Sequence, residues 1–388
     1  MKKVKVGIVR QETYDYKQLR GAVEKSLELI GGLGVAMRKG DRVLLKPNMM
    51  AAKSADKAIN THPLFVKALF EIISDFGARA VIAESPGGAI FGTKRVWKNS
   101  GMEEIAREIG APIVKLESCG AEKFSPPFGK KRKRLYISRP VLDADVVVSV
   151  PKFKVHGTML LTGAIKNLLG TVPGIHKIDF HKAAPKPDEF GDILADILSV
   201  VKPKLAVMDA VTGMDGNGPT FGRARKVGFV MASKDCVAMD AVAAAMMGID
   251  PPTKVYATKH AARKGLGIAD LNRIAVTGVP LEEAKISDWV LDFRSNRNIS
   301  RIPRMLLKLY GWGFKAQPLL AERKCRKCGE CIKGCPTGAR FLDNGSPKVD
   351  VKKCILCLQC FDICKHRAVR LKFSYLAKQW LKWQAGGI

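Results

Sequence analysis

The sequence predicts an α/β protein, with a mostly parallel sheet covered by helices on both faces, joined to a small cysteine-rich second domain. Short, nearly continuous apolar runs alternate with segments of helical apolar spacing, which is typical of a buried parallel sheet. The length of 388 residues suffices for one large core and a smaller unit. Eight of the ten cysteines fall between residues 325 and 364, which sets that segment apart.

The predicted strands recur along the first 292 residues of the chain. They are residues 4–9, 43–46, 80–84, 112–116, 145–150, 205–211, 227–232 and 274–279. Three of the segments between them, residues 16–30, 64–76 and 193–201, carry apolar residues at helical spacing. The predicted domains are therefore an α/β body over residues 1–292, a basic aromatic linker over 293–320, the cysteine-rich domain over 321–372 and a basic helix over 373–388.

The cysteines repeat one spacing twice. The first copy is Cys325, Cys328, Cys331 and Cys335, and the second is Cys354, Cys357, Cys360 and Cys364. Three closely spaced thiolates can wrap one corner of an iron–sulfur cube, while the fourth reaches the other cube. The spacing predicts two [4Fe-4S] clusters with crossed ligation, so that Cys364 joins the first three cysteines and Cys335 the second three. Structural zinc is the alternative, but zinc sites usually use separated pairs of ligands.

The segment over residues 321–372 resembles the bacterial-type two-cluster ferredoxin. Pro336 follows Cys335 as in that family, and the connection between the motifs has the glycine and proline turn residues of a short β-hairpin. The second motif departs from the family pattern at Lys365 and Leu358. The resemblance implies a small α+β ferredoxin-like two-cluster domain and a role in electron transfer.

Charge and targeting signals bound the partners and the location. The net charge of +30 makes acidic redox partner proteins, anionic small molecules and anionic membrane surfaces eligible partners. Nucleic acid is disfavoured, because the basic run at residues 130–134 has no interleaved aromatic residues. The absence of a signal-peptide pattern and of a long apolar run predicts a cytoplasmic protein. The basic aromatic segments 301–315 and 373–383 allow it to be peripheral to a membrane, although such stripes usually pack on the protein's own core.

Polar residues at predicted strand ends define a candidate site, because ligands bind beyond the carboxyl ends of an open parallel sheet. The candidate binding residues are Lys46, Asn48, Lys152, Lys154, Lys166 and Asn167, and the candidate catalytic residues are His156, Glu84 and Asp209. A helical run opening at residues 162–163 is expected to offer free N–H groups to an anion. The glycines of residues 214–219 are expected to let the backbone approach a ligand. The alternatives are that the lysines are solvated and that Asn48 and Asp209 cap turns.

The same residues carry a second resemblance. The runs LLKPNM, THP at residues 61–63, PKFKVH with TGAIKNLLG, and DAVTGMDGNGP are similar to those of the domain-of-unknown-function family 362. Members of that family are often fused to a two-cluster ferredoxin, and the resemblance covers about residues 5–290. It implies an α/β fold and a ferredoxin-coupled role, but it supplies no substrate and no residue roles.

Three functions follow from these patterns. The first is an iron–sulfur oxidoreductase in which Lys152, Lys154 and Lys166 clamp an anionic substrate, His156 donates a proton, and Glu84 or Asp209 acts as a base or metal ligand. The second is a dedicated electron carrier whose body only docks a partner. The third is a nucleic-acid-binding protein with structural clusters. No flavin, nicotinamide or molybdenum signature is readable, so the electron acceptor stays open.

Overall fold

The structure is a computed structural model of the chain. It describes residues 3–87, 93–126, 128, 134–174, 177, 180, 183–292, 300–303, 305–306, 316–335, 338–354, 359–362 and 364–375.

The strands of the described residues are numbered here in chain order. They are β1 (Val4–Arg10), β2 (Arg42–Pro47), β3 (Arg79–Glu84), β4 (Ile113–Lys115), β5 (Ala121–Phe124), β6 (Leu135–Ser138), β7 (Val146–Val150), β8 (Lys152–His156), β9 (Leu160–Leu161), β10 (Leu205–Asp215), β11 (Arg223–Ser233), β12 (Ile274–Gly278), β13 (Ala316–Leu320), β14 (Arg340–Asp343), β15 (Ser346–Val349) and β16 (Val369–Phe373).

The helices follow the same numbering, and short 3₁₀ turns join several of them. They are α1 (Tyr16–Leu29), α2 (Pro63–Asp75), α3 (Thr93–Asn99), α4 (Met102–Glu108), α5 (Arg139–Asp143), α6 (Ala164–Asn167), α7 (Pro187–Val201), α8 (Cys236–Met246), α9 (Tyr256–Arg263), α10 (Leu281–Ala284), α11 (Glu330–Lys333) and α12 (Gln359–Asp362).

The body is built on one large sheet with the order β12-β1-β11-β10-β7-β2-β3-β4. Neighbouring strands run parallel except at β11, which is antiparallel to both β1 and β10. All eight strands predicted from the sequence belong to this sheet, so the prediction of a mostly parallel α/β fold is confirmed. Strand β8 also joins this sheet by pairing with β10 and forms a hairpin with β9, whereas the β5–β6 hairpin is separate from it.

Helices cover both faces of the sheet. The apolar residues of α1 and α2 pack with β2, β7 and β10 in one core cluster, and those of α7, α8 and α9 pack in a second. Strand β7 (VVVSV) is buried along its whole length because both of its faces are covered. The predicted helices match α1, α2 and α7, and α8 begins where the Asp235 carboxylate accepts the N–H groups of Val237 and Ala238. No helix of the described residues is long and apolar enough to cross a membrane.

The cysteine-rich unit contains two antiparallel strand pairs, β13 with β16 and β14 with β15. The short helices α11 and α12 carry Cys331 and Cys360. Strand β13 lies within residues 293–320, so the end of the predicted linker is part of this unit, and β16 extends it to Phe373. Most of the predicted linker and tail, including Trp380, lies outside the described residues.

The sheet order places the ends of four strands side by side. Strands β3, β2, β7 and β10 are consecutive neighbours and run parallel, so their carboxyl ends share one edge of the sheet. Strand β8 follows β7 after one residue and pairs with β10, with Lys152 opposite Asp209. The edge therefore carries the polar residues that follow these strands in the sequence.

Candidate functional site

The first cluster of polar side chains joins β2, β3 and α6. Lys46 Nζ lies 2.5 Å from Glu84 Oε2, 2.9 Å from Asn167 Oδ1 and 2.9 Å from the Pro47 carbonyl oxygen, and donates to all three. The Asn167 amide in turn donates to the Lys46 carbonyl at 2.8 Å. Burial lowers the pKa of Lys46 and raises that of Glu84, and each partner offsets part of the other's shift. This ion pair is fully enclosed by protein.

Gly170 makes the enclosure possible. A Cβ atom at this position would lie 1.8 Å from Glu84 Oε1 and 2.6 Å from Lys46 Cε. Only a residue without a side chain lets the backbone pass so close to the ion pair. The packing of Lys46 and Glu84 thus explains why the run TGAIKNLLG ends in glycine.

The second cluster joins β8 and β10 to the loop before α1. Lys152 Nζ donates to Asp209 Oδ2 at 2.8 Å, to the Tyr14 hydroxyl at 2.7 Å and to Thr212 Oγ1 at 3.0 Å. The Tyr14 hydroxyl donates to Asp209 Oδ1 at 2.8 Å. The register of β10 shifts between Ala210 and Thr212, and bulges of this kind redirect side chains next to functional sites. The bulge lets Asp209 and Thr212 face the same ammonium group.

His62 packs beside this second cluster. Its ring stacks on Tyr14 with centroids 3.6 Å apart, and its backbone N–H donates to Asp209 Oδ2 at 2.9 Å. The Nδ1 atom accepts the N–H of Leu64, so His62 also caps the start of α2. Burial lowers the pKa of His62 to about 4, with Asp209 opposing and Lys152 adding to the shift. The imidazole is therefore neutral at pH 7, with its proton on Nε2.

Lys154 lies on β8, two residues after Lys152. Its side chain is fully buried, and its ammonium donates to the Ile59 carbonyl at 2.6 Å. Across the part of the chain that the structure describes, no carboxylate comes within ion-pair distance of it. Burial lowers the pKa of Lys154 well below its usual value, and Lys166, Lys152 and Lys46 lower it further.

Two more lysines add to the positive charge. Burial lowers the pKa of Lys166 to about 8, and the neighbouring Lys46 contributes to the shift. Burial also lowers the pKa of Lys177 to about 8, against the opposing effect of Glu84 and Glu117. The Lys177 ammonium donates to Ser85 Oγ at 3.0 Å and to the Ser85 carbonyl. We call Lys46, Lys152, Lys154, Lys166 and Lys177 the lysine cluster.

Unsatisfied polar atoms accompany the lysine cluster. The side-chain oxygens Asn48 Oδ1 and Thr162 Oγ1 are buried and have no hydrogen-bond partner within the described residues. Asn48 follows β2 directly, and the backbone N–H of Thr162 donates to the Lys154 carbonyl. Buried polar groups are normally paired, so such atoms indicate a place that a ligand or water completes.

The prediction that the helix opening at residues 162–163 offers free N–H groups to an anion is wrong. The Asp240 carboxylate of α8 accepts the N–H groups of Ala164 at 2.5 Å and Ile165 at 3.1 Å. A Cβ at Gly163 would lie 2.0 Å from Asp240 Oδ1, so the glycine makes room for this carboxylate. Burial raises the pKa of Asp240 to about 7. The start of α6 is therefore occupied from within the protein, and the anion site rests on lysine side chains.

The loop over residues 214–219 also differs from expectation. A Cβ at Gly218 would lie 2.3 Å from the Val155 carbonyl oxygen, and the Gly157 N–H donates to the Gly218 carbonyl. The close backbone approach is thus made to β8 and not to a ligand.

His156 is held by a turn at the other end of β8. Its Nδ1 accepts the N–H groups of Thr158 and Met159, each at 3.2 Å. This arrangement commits Nδ1 to the β8–β9 turn.

Of the residues predicted from the sequence, Lys46, Glu84 and Asn167 meet in one cluster, and Lys152 meets Asp209 in the other. Tyr14, His62, Thr212 and Lys177 were not predicted as site residues. Tyr14 carries no local signal, whereas His62 belongs to the THP run and Thr212 to the DAVTGMDGNGP run noted above. Among the described residues, no three His, Cys, Asp or Glu side chains are placed to hold a single metal ion, so Glu84 and Asp209 serve here as partners of lysines.

The cysteine-rich unit gathers its thiols from both copies of the motif. Cys331 and Cys360 are buried in one cluster with Val369, and Cys364 packs against them. Burial raises the pKa of Cys331, Arg340 lowers it, and the thiols of Cys360, Cys325 and Cys364 raise it further. Backbone N–H groups point at the sulfurs, from Arg340 to Cys335 at 3.4 Å and from Ala368 to Cys364 at 3.2 Å. Such a donor set fits iron–sulfur ligation; Cys357 lies outside the described residues.

The fold and the two sites define an α/β protein with a lysine-lined sheet edge and a C-terminal iron–sulfur domain. The model of the 4Fe-4S dicluster domain matches residues 317–365. The model of the domain of unknown function DUF362 matches residues 43–245, which is more than half of the chain. The chain belongs to the DUF362 family.

The chain is similar to known proteins in both its α/β body and its cysteine-rich unit. The thylakoid-associated protein sll1697 of Synechocystis sp. is 33% identical over 250 residues, which are 64% of this chain and 76% of that protein. The pyruvate synthase subunit PorD of Methanocaldococcus jannaschii is 41% identical over 54 residues, which are 14% of this chain and 63% of that protein. The lactate racemase apoprotein of Thermoanaerobacterium thermosaccharolyticum gives a TM-score of 0.33 at 14% identity, covering 58% of this chain and 54% of that one.

Proposed function

We propose that the protein is a ferredoxin-coupled oxidoreductase whose body binds an anionic substrate at the lysine cluster. The observation that carries the proposal is Lys154, a fully buried lysine whose ammonium donates to a carbonyl, with three other lysines nearby and the Glu84 carboxylate opposing them only in part. Buried cations are normally paired with anions, because desolvating an unpaired charge is costly. A bound anion would supply the missing charge.

The electron source is the cysteine-rich domain. Its thiolates would hold two [4Fe-4S] clusters in crossed sets, and the meeting of Cys331, Cys360 and Cys364 supports joint use of the two motifs. When bound there, such clusters supply one-electron transfer. The domain matched by the dicluster model has the same cofactor type, which supports two clusters per chain.

The residues of the second ion pair are suited to move a proton. Lys152 has a lowered pKa because it is buried, and it donates to the Tyr14 hydroxyl, which is half-buried. Burial and Asp209 raise the pKa of Tyr14 well above its usual value, so the hydroxyl stays protonated and would relay a proton only by accepting one from Lys152 as it gives its own away. Asp209 holds both groups in place. Lys152 and Tyr14 thus replace His156 as the proposed proton donors. The enclosed Lys46–Glu84 ion pair is not proposed to exchange protons.

The anion site is tested by native mass spectrometry of the anaerobically purified holoprotein. Wild type is expected to carry a dissociable anionic small molecule, and Lys154→Met is expected to lose it. Losing one charge-assisted contact of about 1.5–3 kcal/mol lowers occupancy on the order of tenfold or more. Lys204→Met is the matched control, because Lys204 is exposed and lies at the opposite end of β10. An unliganded wild-type protein would instead favour the dedicated carrier with a docking body.

The ligation scheme is tested separately by iron and labile-sulfide analysis. Two cubes give about eight of each per chain. Cys335→Ser is expected to damage the cluster of Cys354 and Cys360 more than that of Cys325 and Cys328. Damage confined to the latter cluster would show that ligation is not crossed.

Peripheral membrane association is a second candidate property. The flanks of the cysteine-rich domain expose Met305 (71%), Leu306 (53%) and Tyr375 (74%), within or beside basic segments. The similarity to a thylakoid-associated protein favours the same reading. Sedimentation with anionic vesicles is expected to exceed that with neutral vesicles, to fall with salt, and to drop when Trp380 and Trp383 are replaced by alanine. Equal pelleting with both vesicle types would argue against it.

A further inference from the structure

One surface of the cysteine-rich unit brings a predicted cluster ligand to solvent. Among the described cysteines of the two motifs, Cys328 is the exposed one, whereas Cys331 and Cys360 are buried. Electron-transfer partners meet over small surfaces, and the electron crosses fastest where the two redox centres come closest. An exposed ligand therefore marks a place where a second protein can approach a cluster.

The loop that leads to Cys328 is basic. Five of the seven charged residues from 322 to 333 are lysine or arginine. Arg326 and Lys327 are both exposed, and across the described residues no carboxylate forms an ion pair with either. The Lys327 backbone is left-handed (φ 51°), and its N–H points at Cys325 Sγ at 3.4 Å. Two uncompensated positive charges thus stand beside the exposed ligand.

An apolar surface adjoins this loop. A Cβ atom at Gly345 would lie 3.9 Å from Lys327 Nζ, which places the ammonium group at the turn of the β14–β15 hairpin. On β14, Phe341 and Leu342 are 43% and 62% exposed. Apolar residues with a charged rim are typical of the surfaces that proteins use to dock. We call this surface the Cys328 face, made of Arg326, Lys327, Cys328, Phe341 and Leu342.

We propose that the Cys328 face docks an acidic one-electron carrier protein, which exchanges electrons with the clusters. This inference rests on the proposed electron-transfer function and names its partner. In the exchange, the reduced carrier loses one electron and an oxidised cluster gains it, and no atom is transferred. Carboxylates on the carrier complement Arg326 and Lys327 and speed its approach, while the apolar residues hold it once docked. An anionic lipid surface matches the charge but holds no redox centre, which favours a protein.

The charged rim is tested with the holoprotein and an acidic plant-type [2Fe–2S] ferredoxin as the probe. Arg326→Gln with Lys327→Gln is expected to lower the association rate constant about tenfold at about 0.1 M ionic strength. The difference from wild type should vanish at about 1 M, where the Debye length falls to about 3 Å. Arg370→Gln with Lys372→Gln is the matched control, because it removes the same charge from exposed positions on β16.

The apolar part is tested through dissociation. Leu342→Thr is expected to speed dissociation of the ferredoxin several-fold and to leave the association rate constant near wild type, since it changes no charge. Leu319→Thr is its control, because Leu319 is a 41% exposed leucine on β13, in the other strand pair. Carbodiimide coupling of lysines to carboxylates, mapped by mass spectrometry, is expected to join Lys327 to the ferredoxin.

Three results would overturn the docking face. They are equal effects of the two charge variants, cross-links that avoid Lys327, and a Cys328-face charge variant that loses binding to anionic vesicles while keeping its ferredoxin binding. Iron content keeps this test separate from the proposed function. A wild-type protein without iron would remove the electron-transfer function itself, whereas about eight irons per chain with unchanged ferredoxin binding in the charge variant would remove only the docking face.

Discussion

The two buried ion pairs of the body use the same residue types in different ways. Lys46–Glu84 is completed by Asn167 and a backbone carbonyl, and Gly170 seals it. Lys152–Asp209 is completed by the half-buried Tyr14, which stacks on His62. Both lysines are equally buried, so exposure of the ammonium does not distinguish them. What distinguishes them is whether their hydrogen-bond partners lead outward, and among the described residues only the second pair has a half-buried partner of this kind, Tyr14.

The largest expected effect comes from breaking the enclosed pair. Lys46→Met leaves the Glu84 carboxylate buried without its nearest cation and is expected to lower the free energy of unfolding by about 3–5 kcal/mol. The double variant Lys46→Met with Glu84→Leu removes both charges and should recover most of that loss. Urea unfolding of the anaerobic protein, followed by tryptophan fluorescence, measures both. A single variant within about 1 kcal/mol of wild type would mean that Glu84 is not held as a charge.

Removing the Tyr14 hydroxyl from the second pair should lower the free energy of unfolding by less, but it should slow turnover. Tyr14→Phe removes a hydroxyl that bonds Lys152 and Asp209, and a loss of about 1–3 kcal/mol is expected for the unmet partners. Tyr16→Phe is the control, because the Tyr16 hydroxyl bonds Glu71, which is 27% exposed and can turn to water. In substrate-reduction assays, Tyr14→Phe should slow turnover more than it weakens binding. Equal behaviour of the two variants would deny Tyr14 a role in proton transfer.

The smallest effect concerns pH. Burial lowers the pKa of His62 to about 4 in the folded chain. In the unfolded chain the same imidazole binds a proton at about pH 6.5, so only the unfolded state is protonated between these two pH values. His62 therefore contributes stability above about pH 6.5 that is lost as the pH falls toward 4. His62→Asn keeps a cap for α2 and removes this titration. The stability of wild type relative to His62→Asn should decrease between pH 7 and pH 5; a constant difference would indicate that His62 is protonated normally.

The strands could be predicted because the signal for a buried parallel strand is local. Each of the eight apolar runs is found within one or a few residues of its predicted limits. The hairpins β5–β6 and β8–β9 were missed because short, partly polar strands carry little periodicity. Strands β10 and β11 extend beyond their predicted ends, since their outer halves pair with each other and not with the core of the sheet.

The site could be predicted in part for the same reason. Lys46, Glu84, Lys152 and Asp209 follow or end apolar runs, and parallel strands align such ends. Tyr14 joins them because β11 is antiparallel to both β1 and β10, so that β1 and β10 run in the same direction and their carboxyl ends share one edge; no local pattern encodes this order. The Asp240 carboxylate was missed because it reaches α6 from a helix 76 positions away. The cysteines, by contrast, could be predicted as cluster ligands from their spacing in the sequence alone.

The pairing of β13 with β16 places Ala316 directly opposite Phe373. The chain thus enters and leaves the cysteine-rich domain at adjacent points. A unit of this shape can be inserted into a loop, or removed from one, without stretching the protein that carries it. That geometry suits the transfer of the same iron–sulfur domain between otherwise unrelated proteins.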